Sequence, residues 1–151
     1  MKPWFVAVLT LALLAACGQN AAVSTRTVAG IGTVLTDSSG KTLYFADQEA
    51  GGKVVCTASC LAIWQPVIAT SDPVSGNVPG KLATVKRPDN GKSQVTYDGK
   101  PLYTFQVDGG PGDAKGNAAK DTFGGVSFSW HAATTGGAAP DNGGGSGGTT
   151  Y

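Results

Sequence analysis

The chain has 151 residues, 41% hydrophobic and only 14% charged, which is material for one ordinary domain with tails. Eleven basic side chains stand against ten acidic ones with no Lys or Arg run. That excludes the counterion-releasing contacts of nucleic-acid binding and gives no steering toward anionic lipid or strongly charged substrates.

Residues 1–16, MKPWFVAVLTLALLAA, hold one Lys and then an apolar run from Trp4 to Ala16. The run is shorter than the ~20 residues that span a bilayer and fits the core of a secretory signal peptide. It closes on Leu14-Ala15-Ala16-Cys17, which resembles the bacterial lipobox. The resemblance implies cleavage before Cys17, a lipid thioether on its sulfur and acylation of the new N-terminus. Several acyl chains, at ~0.8 kcal/mol per buried methylene, anchor a protein where one would not. An ordinary signal peptide with a coincidental cysteine is the alternative. Gly18, where Asp would signal retention, resembles lipoproteins sent to the outer membrane of a host that has one. Loss of Lys2 with the signal leaves ten basic and ten acidic side chains. Residues 18–27, GQNAAVSTRT, are small, polar and aperiodic, so 17–27 is expected to be a lipidated cysteine on a flexible tether reaching at most ~35 Å.

Residues 28–135 are expected to form a β domain. IGTVLTDSSGKTLYFAD, 31–47, places an apolar run on each side of Asp37-Ser38-Ser39-Gly40, a hairpin with a loop of about four residues. Neither arm alternates cleanly, which points to burial on both faces. TASCLAIW, 57–64, has the composition of a short helical turn that must stop near Gln65, because Pro66 disfavours helix before it.

Cys56 and Cys60 are the pair left once Cys17 is lipidated, and outside the cytoplasm an even pair reads first as a disulfide. Four residues apart, they come within bonding range only where the chain turns. A redox role is the sharper alternative. Its Cys-x3-Cys spacing differs from the Cys-x-x-Cys of redox sites, and no His or Arg nearby in sequence lowers a thiol pKa. Zinc would need four ligands, and two thiols with the single histidine, His131, do not supply them.

After the loop-like stretch 68–81, residues 82–108 give three strand runs separated by Pro88-Asp89-Asn90-Gly91 and Asp98-Gly99, an antiparallel meander. A two-residue Asp98-Gly99 loop pairs Tyr97 with Lys100. A three-residue loop, Tyr97-Asp98-Gly99, puts Val95, Tyr103, Phe105 and Val107 on one face instead. Since a one-residue slip moves every side chain to the other face, the hydrophobic pattern favours the three-residue loop.

Segments 34–47 and 95–108 share a plan of strand, Asp-containing turn, Gly-Lys and Leu-Tyr, and each half later reaches a tryptophan, Trp64 or Trp130. Two copies of one unit, 31–67 and 82–131, are expected to pack into a single core. With Tyr103, Phe105 and Asp108, the surrounding DGKPLYTF, the later PGD and GN, and Cys56, Cys60, Trp64 and Pro66 in the first copy, the chain resembles the secreted-repeat bacterial lipoproteins of unknown function. Their signature is Tyr-x4-Asp with an aromatic two residues after the Tyr. The first copy departs from it, with Ala46 and Glu49 where the aromatic and the Asp are expected. The resemblance implies a small β domain displayed in the cell envelope and no established reaction.

Tyr103 and Phe105 read as core residues and Asp108 as the cap of the following turn. The alternative is a surface pocket in which Tyr and Asp hold a sugar or peptide. DGGPGDAKGN, 108–117, offers calcium the oxygens of Asp108, Asp113 and Asn117 but fits no EF-hand, and as a phosphate cradle it lacks the Gly-Lys-Ser/Thr. In FGGVSFSWH, 123–131, Val126, Phe128 and Trp130 alternate against Ser127, Ser129 and His131, a half-buried closing strand with His131 solvated at its end. Residues 136–151 contain no core formers and are expected to be disordered.

The expected whole is an all-β antiparallel domain of two hairpin-based pseudo-repeats with one short helical turn near the cysteines. No metal, cofactor or nucleic-acid partner is expected. The expected role is non-catalytic: a lipid-anchored envelope protein facing outside the cytoplasm, binding or scaffolding an envelope protein or glycan. The alternatives are a redox accessory using Cys56/Cys60 and a carbohydrate-active hydrolase using paired carboxylates such as Asp108 and Asp113.

Overall fold

Short β-branched and aromatic runs cut by Gly, Asp and Pro can form only short strands, and short strands are what this chain folds into. The computed structural model describes residues 23–71 and 78–139. Its strands are β1 (Ser24–Val28), β2 (Gly32–Thr36), β3 (Tyr44–Ala46), β4 (Trp64–Pro66), β5 (Leu82–Lys86), β6 (Ser93–Tyr97), β7 (Lys100–Pro101), β8 (Tyr103–Phe105), β9 (Lys120–Phe123), β10 (Val126–Thr134) and β11 (Gly137–Ala138). Single turns of 3-10 helix lie at Asp47–Glu49 and Ala58–Ala62, the latter carrying Cys60. The signal peptide, Cys17 and residues 140–151 lie outside the described residues.

The larger sheet runs β1-β2-β10-β3-β8-β4, with β9 and β11 also paired to β10; β5-β6-β7 form a second sheet. Every ladder is antiparallel. Alternation along the central strands feeds two cores. Val34, Tyr44, Ala46, Tyr103, Phe105, Phe128, Trp130 and Ala132 face one, together with the cysteines and Trp64. Leu35, Leu43, Phe45, Leu102 and Ala133 face the other, which β6 covers with Val95 and Tyr97. The middle strands are therefore buried on both sides, and that is why the 31–47 arms do not alternate polar with apolar.

The two halves interlock. Tyr44 of β3 pairs with Tyr103 of β8. The strand after each tryptophan then leaves its own half and pairs with the tyrosine strand of the other. Trp64 lies opposite Phe105 and Pro66 opposite Tyr103, while Trp130 lies opposite Ala46 and Ala132 opposite Tyr44. Beyond each pair, the Val67 N–H donates to the Leu102 carbonyl and the Ala133 N–H to the Leu43 carbonyl. The arms of 31–47 touch beside their turn, through the Asp37 N–H donating to Lys41, the Thr36–Thr42 bridge and the Leu43 N–H donating to Leu35, before β10 enters between them.

Five expectations are corrected. The Asp98-Gly99 turn has two residues: Thr96 pairs with Pro101 and Tyr97 with Lys100, and Val95 and Tyr103 do not share a face but lie in different cores. Asp98 (φ 47°) and Gly99 (φ 80°) both take the left-handed conformation that a two-residue hairpin needs. Since β6 is buried on both faces, its apolar pattern could not choose the register. The polar Gln94 on the second face is satisfied, accepting from Arg87 Nη1 at 2.6 Å and donating to the Leu102 carbonyl at 2.8 Å. The third run of the meander divides at Leu102, so that β7 stays with β6 while β8 joins the larger sheet.

The tether also ends earlier than Thr27. Val23 is buried and Ser24–Val28 pairs along β2, because an extended Thr-rich segment supplies ladder hydrogen bonds whatever its polarity. At the far end, Gly137–Ala138 pairs back onto β10, so these residues belong to the sheet and not to the tail expected from residue 136. The closing strand expected at 123–131 is a hairpin: Gly124 and Gly125, both at positive φ, turn β9 into β10.

Candidate functional site

The site to consider is the signature itself, and it is built across both halves. Tyr103 and Phe105 are fully buried on the inward face of β8, and Asp108 is 3% exposed where the chain leaves that strand. Tyr103 and Asp108 do not meet each other. Asp108 accepts the Tyr44 hydroxyl at 2.6 Å and the Lys115 N–H at 3.0 Å. The Tyr103 hydroxyl instead donates to Glu49 Oε1 at 3.1 Å, and the same oxygen accepts the N–H groups of Val55 at 2.5 Å and Cys56 at 2.7 Å. Each tyrosine is thus tied to the acid five positions after the other tyrosine. Glu49, which read as a departure from the signature, holds the position equivalent to Asp108. The equal spacing was the signal that identifies it.

Between the two tyrosines lie the two tryptophans, stacked with ring centroids 3.8 Å apart and planes at 10°. Phe105 stacks on Trp64 at 4.3 Å. Both indole N–H groups donate to one carboxylate: Trp64 to Asp121 Oδ2 at 2.6 Å and Trp130 to Asp121 Oδ1 at 3.0 Å. Asp121 went unnoticed in the sequence, where only its alternation with Phe123 in β9 hints that it points inward. The Gly-rich stretch 108–117 closes over this cluster. A Cβ on Gly116 would lie 2.8 Å from Trp64 and 3.0 Å from Tyr44, so only glycine lets the backbone pass there.

Burial, then the Asp108 carboxylate beside it, push the Tyr44 phenol far above its ordinary value; burial, then the Glu49 charge, do the same to Tyr103. Burial likewise holds the Asp108 carboxyl above 3.8, against the lowering effect of the Tyr44 hydrogen bond. A carboxyl whose pKa is higher in the folded state contributes stability below its unfolded pKa and loses it as pH rises through the folded value. The advantage of the unaltered protein over Asp108→Asn in urea unfolding should therefore be largest near about pH 3 and shrink toward neutrality. A gap constant with pH would contradict this.

Cys56 and Cys60 form a disulfide with a Cα separation of 5.4 Å, and both residues are fully buried. Glu49 holds the irregular segment entering it, and Arg87, 1% exposed, donates from Nη2 to the Cys56 carbonyl at 2.9 Å while pairing with Asp89 at 2.9 Å. Arg87 thereby ties the second sheet to the cystine turn. Cys56→Ala/Cys60→Ala is expected to cost about 2 kcal/mol for so short a loop. The native bond should resist a thiol reductant until the domain unfolds; rapid reduction without unfolding, followed by thiol labelling, would show otherwise.

The oxygens suggested for calcium are already used. Asp108 is held as above, Asp113 Oδ2 accepts the Gly109 N–H at 2.9 Å and pairs with Lys115 at 3.2 Å, and Asn117 Oδ1 accepts the Ala132 N–H at 3.0 Å. Among the described residues, no group of three or more His, Cys, Asp and Glu is placed to hold a metal. His131 is corrected too. It lies inside β10 rather than at its end, its side chain is 14% exposed, and Nε2 is 3.0 Å from Asp47 Oδ2. The β3–β10 pairing brings together residues 84 apart in sequence, which no local reading could reveal.

Residues 83–134 match the model of a family described as a secreted repeat of unknown function. No curated protein and no solved structure matches the chain.

Proposed function

On the premise that residues 83–134 are a secreted repeat of that family, which implies a place outside the cytoplasm, we propose that this protein is a lipid-anchored envelope domain that binds or scaffolds rather than catalyses. The observation that carries the reading is the use of the signature in the fold. Tyr103 and Phe105 are fully buried and Asp108 nearly so, each against partners from the other half, which leaves the outer surface for recognition. The hydrolase reading is weaker because Asp108 is covered and hydrogen-bonded, and the redox reading of the cysteines because both sulfurs lie in the core.

The anchor would be Cys17, with the membrane as first partner and an envelope protein or glycan as the second. Five residues separate Cys17 from Val23, where the domain begins, so the tether reaches at most ~20 Å. The folded body is then held close to the bilayer.

Metabolic labelling with a clickable palmitate analogue, followed by membrane fractionation, tests the anchor. The unaltered protein should carry label and sediment with membranes, whereas Cys17→Ala should lose both. Crosslinking and pull-down of the intact lipoprotein from its own membrane tests the binding role, and recovery of neither a partner nor a glycan would count against it.

A further inference from the structure

Four aromatic side chains cross the middle of the molecule in one row: Tyr44, Trp64, Trp130 and Tyr103. Ring centroids are 5.5 Å apart from Tyr44 to Trp64, 3.8 Å between the tryptophans and 5.2 Å from Trp130 to Tyr103. All four residues are fully buried. Every polar hydrogen of the row is given to a carboxylate: Tyr44 to Asp108, both indoles to Asp121, and Tyr103 to Glu49.

Placing three carboxylates in the core opposes folding, by several kcal/mol per ion where burial is complete, and apolar side chains would fill the same volume without that cost. Next to Trp and Tyr, however, a carboxylate has a chemistry that Leu or Phe lacks. An indole or phenol that loses an electron becomes a far stronger acid than before, and a hydrogen-bonded carboxylate is already in place to receive its proton.

We propose that Tyr44, Trp64, Trp130 and Tyr103 form an internal one-electron relay, with Asp108, Asp121 and Glu49 as its proton acceptors, that takes up oxidising equivalents from small diffusible radicals of the peroxyl class reaching the domain. In the first step one indole of the stacked pair gives an electron to the oxidant and its Nε1 proton to Asp121, leaving an indolyl radical and a neutral carboxyl. In the second, Tyr103 or Tyr44 gives an electron to that radical and its phenolic proton to Glu49 or Asp108, while Asp121 returns the first proton to the indole. The sum is one oxidant reduced by one electron, one tyrosyl radical and one protonated acid. A small one-electron reductant from solution, of the thiolate or ascorbate class, then restores the tyrosine, which recovers its proton from the same acid. The relay depends on neither the lipid anchor nor a binding partner.

Pulse radiolysis of the full chain in detergent, with azide radical as the oxidant, tests it. Trp4→Phe in the background leaves Trp64 and Trp130 as the only indoles. The expected record is an indolyl radical that converts to a tyrosyl radical, more slowly in D2O than in H2O. In Tyr44→Phe/Tyr103→Phe the indolyl radical should persist at least about tenfold longer. An unchanged conversion in that double variant, with Tyr97 or Tyr151 as electron source, would overturn the relay. Where the double variant fails to fold, Tyr97→Phe/Tyr151→Phe, which leaves Tyr44 and Tyr103 as the only tyrosines, decides: loss of the conversion, or conversion without a solvent isotope effect, overturns the relay, and conversion with one upholds it.

Discussion

Asp121→Ala is expected to destabilise the domain by about 4 kcal/mol, from two buried donors orphaned together at ~1–3 kcal/mol each. Both tryptophans are fully buried, so water cannot replace the lost acceptor unless the stacked pair opens. Against the ~5–15 kcal/mol that holds a domain of this size, the loss is a large share of the total. Asp121→Asn keeps one acceptor oxygen but turns an amide N–H toward the second indole, and about half the penalty should remain. Urea unfolding with a near-ultraviolet circular dichroism readout measures both, since the stacked indoles report their own separation. A cost below about 1 kcal/mol for Asp121→Ala would mean that the shared carboxylate contributes little.

Glu49→Ala should cost nearly as much, about 3–4 kcal/mol, because one oxygen serves the N–H groups of Val55 and Cys56 and the Tyr103 hydroxyl. The substitution reaches further than its own site. It frees the chain entering the cystine turn and leaves Tyr103 without its acceptor on the strand that joins the halves. Glu49→Gln retains the accepting oxygen and should cost under about 2 kcal/mol. Glu49→Asp restores the acid of the signature but is one methylene too short to reach both N–H groups, so it should fall between the two. If Asp proved better tolerated than Gln, charge rather than reach would govern the position.

Much of the fold could be read from local chemistry. The alternation of Phe128 and Trp130, the place of the turn at Asp98-Gly99 though not its register, and the Cys56–Cys60 spacing each concern residues close in sequence, where elementary rules apply. What could not be read is what arrives from the other half. Within one half, the polar pattern of β6 also conceals that Gln94 is buried, because its satisfying groups, Arg87 and the Leu102 carbonyl, lie just past the ends of the flanking strands β5 and β7. Asp47 and His131, Tyr44 and Asp108, and Trp64 and Asp121 are each separated by more than 50 residues. The candidate site was legible only in its second copy. Glu49 read as a departure because the comparison was made by residue type, whereas the spacing from Tyr44 preserves its chemical role.

The exchange of tryptophan strands makes each copy of the unit incomplete without the other. A chain with a single copy of the unit would own a tyrosine strand with no tryptophan strand to flank it, a stacked pair reduced to one ring, and an acid with no phenol. A second identical chain, related by a two-fold axis passing between the paired tyrosines, would supply all three. Here one chain supplies both copies, so the exchange needs no second protomer. The copies differ in what they add: the first carries the cystine and Glu49, the second Phe105, Asp108 and the Asp121 that serves both indoles.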